Sequence, residues 1–156
     1  MASLSCGRFI VNKDVFIKNL LYLLFLVVAV TLSPPVYSVK VITNTDVDVK
    51  TLTKAQLRRI YSMRQLQWEN NIKITVFVLP SSHSLHQRFS KQKLKMFPYK
   101  LDRIWNKLIY SGLGTAPIVV ETEQALINAV KKTAGAIGYV EDLSEVKDAN
   151  VITIKG

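Results

Sequence analysis

Thr133-Ala-Gly-Ala-Ile-Gly-Tyr-Val140 is the stretch on which the reading of this chain turns. Gly135 suits the residue just past a helix end, where glycine takes positive φ without steric cost. Ala136 to Val140 is then a compact apolar run, the form of a short core strand, interrupted by Gly138. A glycine inside a strand marks the close approach of another backbone or a ligand.

Upstream, Thr122 is a good N-cap, followed by Ala125, Leu126, Ala129 and Val130 on one helical face. Lys131 and Lys132 close that helix at the end that prefers positive charge. Ile118-Val-Val120 before it reads as a short strand, and Val151-Ile-Thr-Ile154 as the last one, after a charged connection from Glu141 to Asp148. Farther back, Leu101, Ile104, Trp105, Leu108 and Ile109 recur at spacings of three and four, so Trp105 belongs to a core-facing helix.

Ile72 to Leu79 is the strongest strand in the chain, β-branched and nearly continuous, which predicts a sheet covered on both faces. It ends at Pro80, and Ser81 and Ser82 offer caps for a helix containing Leu85 and Phe89. Val39 to Thr43 with Asn44-Thr-Asp46 reads as a first strand and turn. Thr53 caps a helix carrying Ala55, Leu57, Ile60 and Tyr61, with Arg58 and Arg59 in its last turn on a solvated face. Lys91, Lys93, Lys95 and Lys100 form a basic surface segment around Met96-Phe97-Pro98. Strands alternating with helices at short intervals predict an α/β layer architecture with some parallel pairing.

The first 38 of the 156 residues read differently. Arg8, Lys13 and Lys18 lead into an apolar run from Leu20 to Leu32, followed by Ser33-Pro-Pro-Val-Tyr-Ser38. That is the order of a secretory signal, and the run is short for a membrane span. We place cleavage after Ser38, with an uncleaved N-terminal anchor as the alternative; residues 39–156 then form one domain. Cys6, the sole cysteine, precedes the apolar run, so it is not a lipid-attachment site and the exported part carries no disulfide.

Arg8, Lys13, Lys18 and Asp14 leave with the leader, so the 21 basic and 11 acidic residues become 18 and 10, a net charge of +8. Such a surface favours acidic partners: small anions, lipid headgroups or cell-wall polymers. Export, and the lack of an aromatic RNA motif or zinc-finger spacing, argue against nucleic acid.

Several pieces in order carry a resemblance. Leu52-Thr-Lys-Ala-Gln-Leu-Arg-Arg-Ile-Tyr61 with Trp68, then Ser84, Arg88 and Phe89 after a strand, then Trp105 to Gly112, and finally Gly135-Ala-Ile-Gly-Tyr-Val140 resemble periplasmic phosphate-binding proteins. The similarity runs from about Val41 to Val140 and is closest to short, single-domain members exported by Gram-negative bacteria. It implies an α/β fold: a single lobe of a type II periplasmic-binding-protein-like fold, with a mixed sheet flanked by helices. Two departures stand out. The region that would carry the first anion loop of a two-lobed protein is absent before Asn44. The second loop, Gly-Ser-Gly-Thr in the larger family, is Ser81-Ser-His-Ser84 here, without either glycine.

The candidate site is the helix start after Pro80. Ser81, Ser82 and Ser84 would donate to an oxyanion together with backbone N–H groups, and Arg88 would supply the counter-charge by folding back. His83 and His86 lie three apart but lack further ligands, so no metal is expected. Ser111 to Pro117 lacks the ending of a phosphate-cradling loop, no nucleophile elbow occurs, and neither histidine has a carboxylate nearby in sequence. No cofactor and no catalysis are expected. The function implied is recognition of a small anion, phosphate among the candidates. The rival is a periplasmic interaction or sensory module, joined to an inner-membrane transporter or receptor or to a second copy of itself. Attachment to an anionic membrane or wall polymer is a third reading.

Overall fold

The computed structural model describes residues 17–18, 21–22, 38–112, 116–144 and 146–155. The expected leader therefore lies almost wholly outside the described residues, and every element below falls within Tyr37–Gly156. No helix among the described residues is long and apolar enough to cross a membrane.

In chain order the elements are β1 (Lys40–Thr43), β2 (Thr51–Thr53), α1 (Lys54–Tyr61) and β3 (Thr75–Val78). Helix α2 (Ser84–Phe89) runs into a π-helical turn, Ser90–Leu94, and α3 (Pro98–Tyr110) follows. The chain closes with β4 (Ile118–Val119), α4 (Glu123–Lys132), β5 (Ala136–Val140) and β6 (Asn150–Lys155). The strands form one mixed sheet in the order β2-β6-β1-β5-β3-β4. β3 runs parallel to β4 and β5, β2 parallel to β6, and β1 antiparallel to both β5 and β6.

Strand β5 is central and buried at every residue. Its alternation assigns the two helical layers. A Cβ on Gly138 would lie 2.5 Å from Leu126 Cδ2 and 2.9 Å from Val130 Cγ2. The close approach at this glycine is therefore made by side chains on the apolar face of α4, not by the backbone or ligand expected from the sequence. Tyr139 points the other way. Its ring stacks on Phe89 at 4.0 Å and 9°, and Phe89 meets Tyr61 at 4.7 Å, so α1 and α2 cover the opposite face. The mixed sheet flanked by helices is the architecture expected from the sequence.

Local chemistry explains most boundaries. Thr53 and Gln56 form a reciprocal capping box at the start of α1. Thr122 accepts the Ala125 N–H at the start of α4. Gly135 does take positive φ, at +67°, but not at the residue next to the helix: Thr133 ends α4 in extended conformation, and Gly135 sits within the turn that the Ala136 N–H closes on the Thr133 carbonyl. A side chain there would run into the Lys73 carbonyl oxygen. The Gly135 carbonyl accepts the Trp68 indole N–H at 2.9 Å, which explains an aromatic residue within polar sequence.

Two features were not expected. β2 is a three-residue strand, too short to leave a period in the sequence. Arg58 is exposed, as expected, yet its Nε also donates to the Leu94 carbonyl at 2.6 Å and so ties α1 to the end of the π turn.

Candidate functional site

In open α/β sheets ligands sit beyond the carboxyl ends of strands, where neighbouring connections depart in opposite directions. Here that place is between β3 and β5, since β3 leads outward to β4 while β5 leads back across the sheet to β6. The segment from Pro80 to α3 lies over it.

The Pro80 carbonyl accepts the His83 N–H at 2.8 Å, which turns the chain off the strand. His83, rather than a serine, is the N-cap of α2: its Nδ1 accepts the Leu85 N–H at 3.2 Å. Ser84 is the exposed first residue of this six-residue helix. The Ser81 hydroxyl donates to Asp102 Oδ1 at 2.6 Å, and Gln87 Nε2 reaches the Ser82 carbonyl at 3.4 Å. Arg88 lies in the last turn of α2 and does not fold back to the helix start. It pairs with Glu141 at 2.5 Å, with about a third and a quarter of the two side chains exposed. The Glu141 backbone N–H in turn donates to Glu123 Oε1 at 2.6 Å, so the pairing of Arg88 sits beside a second carboxylate just past β5.

Of the four residues singled out in the sequence, Ser81 and Ser82 meet in one open groove of about 430 Å³, whose lining also includes Gln87, Lys91, Tyr99 and Asp102. Neither Ser84 nor Arg88 is among its lining residues. Phe97 and Pro98 complete the groove, and with them the first turn of α3. Phe97 is the N-cap of α3 and makes no side-chain capping bond; Pro98, at the first helical position, has no N–H to satisfy. The start of α3 thus lacks the side-chain acceptor that caps α1, α2 and α4; its Lys100 N–H bonds the Phe97 carbonyl at 3.0 Å, which leaves the Tyr99 N–H of the first turn, and Lys91 lines the same groove. This start was legible in principle: Phe97-Pro98 places proline at the first helical position with no Ser, Thr, Asp or Asn before it.

A buried polar chain joins β5 to α2. The Tyr139 oxygen accepts the Leu79 N–H at 2.9 Å and lies 2.6 Å from His86 Nδ1, while His86 Nε2 is 3.4 Å from Ser90 Oγ. One arrangement satisfies every group: Tyr139 donates to Nδ1, and Nε2 carries the proton toward Ser90. Burial pushes the His86 pKa down, with the Asp102 carboxylate opposing and His83 reinforcing the shift. Burial also raises the Tyr139 hydroxyl far above its usual range, against a smaller opposing effect of the Leu79 hydrogen bond. The fold thus brings near His86 a carboxylate that sequence proximity did not reveal. His83 and His86 are each engaged internally, and among the described residues no group of three or more His, Cys, Asp or Glu could hold a metal ion.

No family model matches the chain, and no curated protein matches it in sequence. Solved structures do match. An ABC-type phosphate transport receptor from Vibrio cholerae aligns over 74% of this chain and 45% of its own, at 19% identity and a TM-score of 0.56. PstS from Borrelia burgdorferi aligns over 75% and 47%, at 18% identity and 0.54. The phosphate-binding protein of Stenotrophomonas maltophilia aligns over 77% and 39%, at 19% identity and 0.53. The chain therefore shares its fold with these phosphate-binding proteins. The chain spans less than half the length of these structures.

Proposed function

We propose that this protein is a non-enzymatic solute-binding module that takes a small oxyanion, phosphate or a phosphate-like group, at the corner beyond β3. The observation that carries the reading is the start of α3, a thirteen-residue helix without a side-chain cap, opening on the groove shared by Lys91, Ser81 and Ser82. The Tyr99 N–H at this helix start, with Lys91 and the Ser82 hydroxyl lining the same groove, makes an anion-binding arrangement. The structural neighbours named as phosphate receptors support the same reading. Residues 1–38 would direct the chain to the periplasm, and an ABC-type membrane transporter is the partner class implied. Titration calorimetry of the full chain with phosphate and sulfate tests the reading. Heat and a thermal shift at millimolar ligand support it, and no response to either anion removes it.

One observation favours an interaction module instead. β4 lies at the sheet edge with both residues, Ile118 and Val119, about half exposed. An apolar edge strand invites a pairing partner, a transporter component or a second copy. Co-purification that is lost on Val119→Lys, with no anion binding, would select this reading.

A further inference from the structure

We infer that the groove beyond β3 takes a hydroxylated sugar ring bearing an anionic substituent, a carboxylate or a phosphate, rather than a bare inorganic oxyanion. The inference rests on the solute-binding reading above and concerns the part of the groove that an inorganic anion would leave unused. Phe97 and Tyr99 are 52% and 63% exposed, and their rings lie 20° from parallel with centroids 5.8 Å apart. At that separation the rings are displaced rather than face to face, and together they form an apolar shelf along one wall. Exposed aromatic faces in a groove that also converges polar groups are the anchors of small-ligand sites.

The polar groups of the lining match hydroxyls. Asp102 accepts one hydrogen bond, from Ser81, and a carboxylate can accept about four. A second negative charge would repel a bare phosphate, whereas sugar hydroxyls donate to it. Gln87 and Ser82 add an amide and a hydroxyl to the lining. Lys91 supplies the one cation of the lining, suited to a single anionic substituent at the end of the ring. The volume, about 430 Å³, falls within the roughly 300–1,000 Å³ of small-molecule pockets.

The π turn places these groups. Lys95 ends it with φ of +53°, a left-handed conformation uncommon outside glycine, asparagine and aspartate. Phe97 then turns extended and Pro98 starts α3, which holds Phe97 and Tyr99 at the groove rim.

The test is titration of the full chain with glucuronate, glucose 6-phosphate, glucose, inorganic phosphate and uridine monophosphate. One of the two anionic sugars should bind at least about tenfold tighter than glucose, phosphate and the nucleotide. Which of the two does so identifies the anionic group. Tyr99→Ala and Asp102→Asn should each weaken that binding by about tenfold. Both side chains are outside the buried core, so the variants should keep the fold, with circular dichroism as the check. Phosphate or the nucleotide binding as tightly as the better of the two sugars overturns the inference, as does sugar binding indifferent to Tyr99→Ala. Phosphate binding without sugar preference leaves the underlying anion reading intact; silence with all five ligands removes both.

Discussion

The Tyr139 hydroxyl oxygen lies 2.6 Å from His86 Nδ1 and 2.9 Å from the Leu79 amide nitrogen, so one buried atom joins β5, α2 and the end of β3. Tyr139→Phe keeps the ring that stacks on Phe89 and removes only this atom. A buried N–H and a buried imidazole nitrogen are then left without partners, at a cost of about 1–3 kcal/mol. Urea unfolding should show a lower midpoint with unchanged slope. A midpoint within error of the parent would mean that the hydroxyl is dispensable.

His86 makes stability depend on pH with a defined sign. Its folded pKa is held down, chiefly by burial, whereas in the unfolded chain it titrates near about 6.5. Below that pH the unfolded state binds the extra proton first, so stability falls as the solution is acidified. Unfolding between about pH 7.5 and 5.5 should lose stability in the parent and less in His86→Gln, a window above most carboxylate titrations. Parallel pH curves for the two proteins would rule out this histidine as the source.

The architecture was readable because its signals are local and repeated. Capping at Thr53 and Thr122, the β-branched run before Pro80, and the apolar run after Gly135 each bias one element, and all point to layers of helix on sheet. The site was less legible for a physical reason. Asp102 reaches Ser81 across 21 positions, and Glu141 reaches Arg88 across 53. Composition fixes neither pairing. A serine after a strand is an N-cap by propensity, yet here a carboxylate from α3 takes one hydroxyl and His83 takes the cap. Asn44 shows the same limit: beyond its own turn, its side chain donates to the Val130 and Lys131 carbonyls at the end of α4.

That second role gives Asn44 a measurable weight. It satisfies two carbonyls that a helix end leaves open, and one of these bonds is buried. Asn44→Ala should cost about 1–3 kcal/mol, mostly through the carbonyls left unpaired. Hydrogen exchange should speed up in the last turn of α4 more than in α1. Uniform change across both helices would place the loss elsewhere.

Gly138 tests how tightly α4 sits on the sheet. A single methyl at this position meets Leu126 and Val130 inside van der Waals contact. Overpacking of this kind costs about 1–3 kcal/mol. Gly138→Ala should therefore destabilise, although alanine is the better-ordered residue within a strand. Pairing it with Leu126→Ala should recover part of the loss, because the atom nearest the new Cβ is then gone. Additive losses would show that the clash is relieved by some other movement.

Lys91 separates a positioned cation from the general positive field of the chain. Lys91→Ala and Lys107→Ala each remove one exposed lysine, and only Lys91 lines the groove at the start of α3. If the net positive charge of the chain alone attracted anions, the two substitutions would weaken phosphate binding equally, and salt would erase both effects over a Debye length of about 10 Å at 0.1 M. A cation that touches the ligand acts at shorter range and through a charge-assisted hydrogen bond. Lys91→Ala should then weaken binding by about tenfold and Lys107→Ala by less than about twofold, with the difference persisting at moderate salt. Equal losses that vanish together as salt rises would show that the groove lysine contributes only to the overall field.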